Sequence, residues 1–155
     1  MNHDDVPITR ARATVRASSG GGTVQGTVTF VLEDKGVRVL ADLAGLSPGL
    51  HGFHVHEYGD CADAGKAAGA HFNPMHTDHG SPNAMARHAG DMGNITADGN
   101  GHAVLEYLDE QLSFSGASSI IGRSVVVHKN ADDLKTQPSG ASGERIGCGE
   151  IGYSK

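Results

Sequence analysis

"HGFHVHEYGDC", residues His51 to Cys61, sets His54 and His56 one residue apart in a run whose alternate members, Phe53 and Val55, are apolar. Side chains along a β-strand point alternately to opposite faces, so Phe53 and Val55 can enter a core while the two imidazoles share the other face. Two imidazoles side by side on one strand face suggest a metal.

The sequence on either side repeats the strand pattern. In "RARATVRA", Arg10 to Ala17, polar residues hold the even positions and small apolar ones the odd, as in a strand wet on one face. A turn at "SSGGG" leads to a second strand in which Val24, Val28, Phe30 and Leu32 alternate with polar residues, and "EDKG" turns the chain into "VRVLADL", Val37 to Leu43. "LSPG" turns it again, into the histidine strand. From Gly59 to Asp91 the alternation stops, in a Gly, Ala, Asn and His-rich stretch without apolar anchors of its own. An ordered loop of that length is normally functional or held by something. Strands resume at Asn94 to Ala97, then "HAVLEYL" after the turn "DGNG", then "IIGRSVVVH" to His128; a second irregular loop runs to Cys148, and "EIGY" follows. No 3.6-residue stripe and no internal repeat is visible. The pattern predicts an all-β protein, an eight-stranded Greek-key barrel or sandwich with two long functional loops.

Composition excludes several classes. The 155 residues fit one domain, expected over residues 6–155 after a tail at 1–5, and are enough to bury a real core. With 23 glycines, 19% charged residues and no long apolar run, a helical membrane protein is ruled out. A net charge of -6 argues against nucleic acid and anionic lipid, either of which would need clustered Lys and Arg. The start "MNHDDVPITR" has no basic n-region or apolar h-region; a periplasmic or other extracytoplasmic protein with its signal removed is favoured over a cytoplasmic one. Met1, Asn2 and His3 offer an amino group, two amides and an imidazole, four nitrogens in the square plane that Cu²⁺ and Ni²⁺ favour, against the plainer reading of a loose tail.

The remaining ligand candidates strengthen the metal reading. His71, His79, His88 and Asp91 lie in the first irregular stretch, and three imidazoles with one carboxylate make a closed set suited to tetrahedral Zn²⁺. Coordination would order a segment whose composition cannot. His54, His56 and His128 form a separate nitrogen group at strand ends, of the kind that favours Cu²⁺. His51 reads as a structural hydrogen-bonding residue, His102 as surface or packing, His76 as a solvated loop side chain, and Met85 and Met92 as packing residues. "NIT" at Asn94 to Thr96 fits a glycosylation acceptor, a motif too short to be given a role.

"GFHVHEYGD", "AHFNP", "HAGDMGNITADGNG", "IIGRSVVVHKNADDL" and "GERIGCGEIG" together resemble the copper/zinc superoxide dismutases, in the same order and across nearly the whole chain from Val6 onward. The resemblance implies copper on His54, His56, His71 and His128, zinc on His71, His79, His88 and Asp91, and His71 as an imidazolate bridge. It implies an eight-stranded Greek-key barrel whose Gly59 to Asp91 loop carries zinc and whose Asp132 to Arg145 loop lines the substrate channel. Asp132 would hydrogen-bond one copper histidine and one zinc histidine, and Arg145, helped by Lys135, would guide superoxide. Cys61 and Cys148 resemble the family's disulfide; Cys61 directly follows Asp60, an early position shared with bacterial members. The channel loop is short and lacks the acidic pair that members often carry. A homodimer burying Tyr58 to Gly59, Ile120 to Gly122 and Ile151 to Tyr153 is implied, and a copper-donor protein is compatible as a partner. A copper-delivery protein would lack ligands or the arginine, a copper-only enzyme would lack the zinc residues, and a structural Greek-key domain would not explain ligands in register across distant segments.

Overall fold

The computed structural model describes residues 8–19 and 22–155. Eight strands, β1 (Arg10–Ala17), β2 (Gln25–Glu33), β3 (Gly36–Ala44), β4 (Gly49–His56), β5 (Asp91–Ala97), β6 (Ala103–Asp109), β7 (Ser124–His128) and β8 (Arg145–Ser154), close into one antiparallel barrel. Around the barrel the order is β1-β2-β3-β6-β5-β4-β7-β8, so the β3–β4 and β6–β7 connections cross over as a Greek key requires. The expected fold class and strand number hold.

Alternation places the core. Ala11, Ala13 and Val15 of β1 are buried while Arg10, Arg12, Thr14 and Arg16 face water, and Val28, Phe30, Val37, Val39 and Leu43 fill the interior from β2 and β3. Leu32 departs from the pattern and is exposed, because it sits where β2 meets the turn at the barrel's end. In β4 and β7 both faces are covered: Phe53, Val55, Val125 and Val127 join the core, and the opposite side chains lie beneath the two long loops.

Three boundaries differ from the sequence expectation. β5 starts at Asp91, not Asn94, because the β4–β5 register shifts between Gly52 and His54; Asp91 rather than Met92 then lies opposite His54, on the outer face. β7 starts at Ser124, leaving Ile120 to Arg123 outside it, and β8 starts at Arg145, which puts that residue on a strand and shortens the second loop.

The loop before β5 also has apolar anchors, contrary to expectation. Phe72 and Ala89 pack into the main core, Ala68 packs with Val126 and the Cys61–Cys148 bridge, and the Arg123 guanidinium lies 3.8 Å over the Phe72 ring. Arg87 is buried, donating at 3.0 Å to Asp109 of β6 and to carbonyls of its own loop at Pro82, His88 and Ala89. The disulfide spans 87 positions of sequence, a closure worth about 4 to 5 kcal/mol on the chain-entropy model. Metal is therefore not the loop's sole organiser. Phe72→Ala should cost the metal-free protein about 3 to 5 kcal/mol in urea denaturation; an unchanged midpoint would mean that this anchor carries no weight without metal.

Candidate metal centre

The outer face of β4 and β7 is the floor of the site. Pairing of His54 with Val126 and of His56 with Ser124 puts His54, His56 and His128 on one side of the sheet, opposite Phe53 and Val55. The loop is then stitched to β4 where β5 has not yet begun: Phe72 N–H donates to Val55 O at 2.8 Å, Val55 N–H to Gly90 O at 2.9 Å, and His71 bridges His56. These bonds carry the His71 ring over the strand histidines, with centroids 4.0 Å from His54 and 4.9 Å from His56.

In the first cluster, His54, His56, His71 and His128 bring their ligand atoms within 4.8 Å of one another. Each strand histidine commits one nitrogen to a protein acceptor: His54 Nε2 to Asp132 Oδ2 at 2.7 Å, His56 Nδ1 to Gly69 O at 2.9 Å, and His128 Nδ1 to Gly143 O at 3.0 Å. A carbonyl can only accept, so the proton of His56 and of His128 is on Nδ1 and each Nε2 presents a lone pair. Those two Nε2 atoms nonetheless lie 3.3 Å apart, and His54 Nδ1 and His71 Nε2 are buried without a partner. Lone pairs converging in a dry pocket fit a cation between them.

The second cluster is His71, His79, His88 and Asp91. Asp91 Oδ1 lies 2.8 Å from His71 Nδ1, 2.8 Å from His79 Nδ1 and 3.3 Å from His88 Nδ1. His79 Nδ1 makes no aligned hydrogen bond despite that distance. Donors about 2.0 to 2.1 Å from a tetrahedral Zn²⁺ stand about 3.3 Å from each other, so this packing is close to a coordination shell. Asp91 Oδ2 accepts from His88 N–H at 2.7 Å and Gly80 N–H at 3.0 Å, which fixes the carboxylate.

Asp132 joins the clusters, taking His54 on Oδ2 and, on Oδ1 at 2.8 Å, His79 Nε2. Asn94 clamps its backbone: Asp132 N–H donates to Asn94 Oδ1 at 2.7 Å, and Asn94 Nδ2 donates to Asp132 O at 2.9 Å. The "NIT" asparagine thus has a structural task that the sequence reading passed over. Gln137 was also passed over; its carboxamide bonds the His79 backbone at both N–H and C=O.

Other residues fall as follows. Arg145 is half-buried and donates to Gly65 O at 2.8 Å, on the arm held by the Cys61–Cys148 disulfide. Lys135 is exposed. His51 is buried and bonded by His128 O at 2.8 Å and Ser47 O at 2.7 Å, while His102 pairs with Asp42 at the surface and His76 is exposed. Met92 is a core residue, but Met85 is fully exposed on its loop and packs against nothing that would hide it, which corrects the packing expectation. Met1, Asn2 and His3 lie outside the described residues.

Burial sets the protonation states. It pushes His54 down to about 3, against the Asp132 hydrogen bond, and lowers His56 well below its ordinary value. His128 is pushed down to about 4, by burial first and then by the His71 and Arg145 charges, against the Gly143 carbonyl; His71 is also lowered by burial, against Asp91. His79 goes the other way: burial opposes its charge, but the hydrogen bond to Asp132 and the nearby negative charge of Asp91 outweigh it and raise the ring to about 9. Burial would raise both carboxylates, yet their histidine partners hold Asp91 and Asp132 well below the usual range.

Comparison with known proteins agrees with this chemistry. Residues 24–151 match the family model described as copper/zinc superoxide dismutase. This chain belongs to the copper/zinc superoxide dismutase family. It is 48% identical over 141 residues to a superoxide dismutase [Cu-Zn] of Paramecium bursaria Chlorella virus 1, covering 86% of this chain and 75% of the relative. It also superposes with a TM-score of 0.89 on the crystal structure of the clock protein EA4, at 40% identity, covering 99% of this chain and all of that one. The donor sets fit the dismutase metals: an all-imidazole group suits copper, and three imidazoles with a carboxylate suit zinc.

Histidines kept neutral by burial make acid destabilising. Between the unfolded value near 6.5 and the folded values near 4 and 3, the unfolded chain binds more protons, so stability falls as pH falls through that window. His79 has the opposite sign, and its contribution is lost as pH rises through about 9. Urea denaturation of the metal-free dismutase should lose more than about 1.4 kcal/mol per pH unit, the slope of one proton, below pH 6. A flat profile from pH 6.5 to 4 would contradict the neutral-imidazole assignment.

Proposed function

We propose that His54, His56, His71 and His128 hold the copper of this dismutase, that His71, His79, His88 and Asp91 hold its zinc, and that His71 serves both. The observation that carries this reading is the convergence of unpartnered or proton-free ring nitrogens, with His54, His56, His79 and His128 each fixed by a protein acceptor on the far side of the ring. The reaction is the disproportionation of superoxide to O₂ and hydrogen peroxide. Copper, when bound, supplies a one-electron couple that takes an electron from one superoxide and returns it to the next; zinc is redox-inert.

The chain's own residues supply position, charge and protons. Gly69 O and Gly143 O fix the tautomers of His56 and His128, so that their Nε2 atoms stay unprotonated. Asp132 does the same for His54, leaving Nδ1 free, and holds His79 at a fixed distance from it. His71 presents Nδ1 to one cluster and an unpartnered Nε2 to the other. That Nε2 is the atom at which a proton can be held for the peroxide-forming half of the reaction, while Nδ1 stays turned to the second cluster.

Arg145 supplies the local positive charge that an acidic protein needs to draw in an anion. Burial lowers its pKa, but a guanidinium starts so high that it remains charged at neutral pH. Lys135 adds to the same field from the exposed part of the loop. The Cys61–Cys148 disulfide supports an extracytoplasmic location, where such bonds persist. A copper-donor protein would load the first cluster.

The homodimer proposal narrows. Ile120 and Ile151 are buried in this chain's own barrel and are not available to a partner. Tyr58 and Tyr153 are more than half exposed, and their segments adjoin: Gly122 N–H donates to Ile151 O at 2.9 Å, and Ser124 Oγ donates to Tyr58 O at 2.7 Å. A contiguous patch carrying two tyrosines suits self-association. Sedimentation should give a dimer that Tyr153→Glu weakens; a wild-type monomer at micromolar concentration would end the proposal.

The enzymatic assignment is tested by metal analysis alongside superoxide decay in Arg145 variants. A guanidinium about 5 Å from an incoming anion, at an effective dielectric of about 40 to 80, attracts it by about 1 to 2 kcal/mol. Arg145→Ala should keep both metals and lose about five- to thirtyfold in rate at low salt. Arg145→Glu should lose more, and its deficit should shrink as ionic strength rises. Wild-type rates in both fully loaded variants would remove Arg145 from the channel.

A further inference from the structure

Gln137 is an exposed residue of the short loop between Asp132 and Arg145, yet its side chain is engaged at both ends by His79 of the other loop. His79 N–H donates to Gln137 Oε1 at 2.7 Å, and Gln137 Nε2 donates to His79 O at 2.9 Å and to Lys135 O at 3.1 Å. The carboxamide stands where the peptide of a neighbouring strand would stand and satisfies both polar groups of the His79 backbone. The ring of the same histidine donates from Nε2 to Asp132 Oδ1 at 2.8 Å. His79 is thus gripped at three atoms by the stretch 132–137.

The rest of the loop is built against that grip. Gly140 has φ +75°, and a Cβ there would stand 1.8 Å from Asp132 Oδ1 and 2.7 Å from His79 Nε2, so only glycine lets the backbone lie on the Asp132–His79 bond. Gly140 N–H donates to Thr136 O at 2.6 Å, Asp133 N–H to Gly140 O at 2.9 Å, Asn130 N–H to Ser142 O at 2.9 Å and Lys129 N–H to Glu144 O at 2.7 Å. Hydrogen bonds therefore run without a long gap from His79 to the residue before Arg145.

We propose that Gln137 is a positioning residue that couples metal occupancy of the His71, His79, His88 and Asp91 cluster to the order of the loop ending in Arg145. The inference rests on that cluster holding zinc. A metal that fixes the His79 ring fixes its backbone, and the backbone fixes Gln137 and the loop. Coupling is reciprocal, so the loop must in turn slow loss of the metal. A plain latch would hold the two loops together equally well with and without metal, and this difference is measurable.

The experiment uses the full-length protein loaded with Zn²⁺ alone, as wild type, Gln137→Ala and Gln137→Glu. Zinc release to a chromogenic chelator at pH 7 should be about tenfold faster in Gln137→Ala, from the modest net worth of two neutral hydrogen bonds. Gln137→Glu keeps the acceptor for His79 N–H but has no donor for His79 O, and should fall between; it also serves if the alanine variant folds poorly. Hydrogen exchange across residues 132–145 should show protection added by zinc in wild type, and a smaller zinc-dependent gain in Gln137→Ala. Equal release rates in all three proteins, or the same loss of protection with and without zinc, would overturn the coupling and leave the zinc site standing. Failure of the wild type to take up Zn²⁺ would overturn the cluster assignment and the coupling together.

Discussion

A buried imidazole has two nitrogens, and both must be answered where water cannot reach. Seven histidines are buried among the described residues, and this constraint shapes everything laid over the outer face of β4 and β7. The acceptors come from different places: Gly69 from the first loop, Gly143 and Asp132 from the second, Asp91 from the first residue of β5. Each acceptor takes one side of a ring and turns the other toward a shared point. The loops are irregular because they must deliver single carbonyls and carboxylates to fixed places, which a regular strand could not do.

Two carboxylates carry most of the electrostatic load. Asp91 and Asp132 are both fully buried, a state that would be costly for an isolated anion. Asp91 is compensated by three imidazoles and two backbone N–H groups, and Asp132 by two imidazoles and the Leu134 N–H. The arrangement is a network in which each bond depends on its neighbours, so its members act as a unit. Asn94 and Gln137, neither of them charged, hold that network to the barrel and to itself.

The strand pattern was readable because burial on one face imposes alternation, as β1 shows with its three small inward residues. The candidate ligands were readable because most of them sit in long motifs that resemble one family, and the fold brings the same seven residues together in two clusters. What escaped the sequence depended on contacts between distant segments. The register shift opposite Phe53, which turns Asp91 outward, has no signature in "GDMGNIT" alone. Phe72 and Ala89 are single apolar residues in a polar loop, without periodicity to mark them as anchors. Met85 looked like its buried counterpart Met92, and nothing local distinguishes the two. The roles of Asn94 and Gln137 arise from hydrogen bonds across 38 and 58 positions, a separation at which local pattern carries no information.

The barrel is closed by β8, which pairs with both β1 and β7 and brings Cys148 and Arg145 with it. Of the eight strands it is the last to be synthesised, although its partner β1 is the first. During translation β1 and β7 therefore wait with unpaired edges, and neither the disulfide nor the anchor of Arg145 at Gly65 can form until the closing strand has left the ribosome. An incomplete chain exposes two templates for pairing with other chains. The same closure that leaves the finished protein without a free edge makes its nascent form the stage at which it is most prone to associate with other chains.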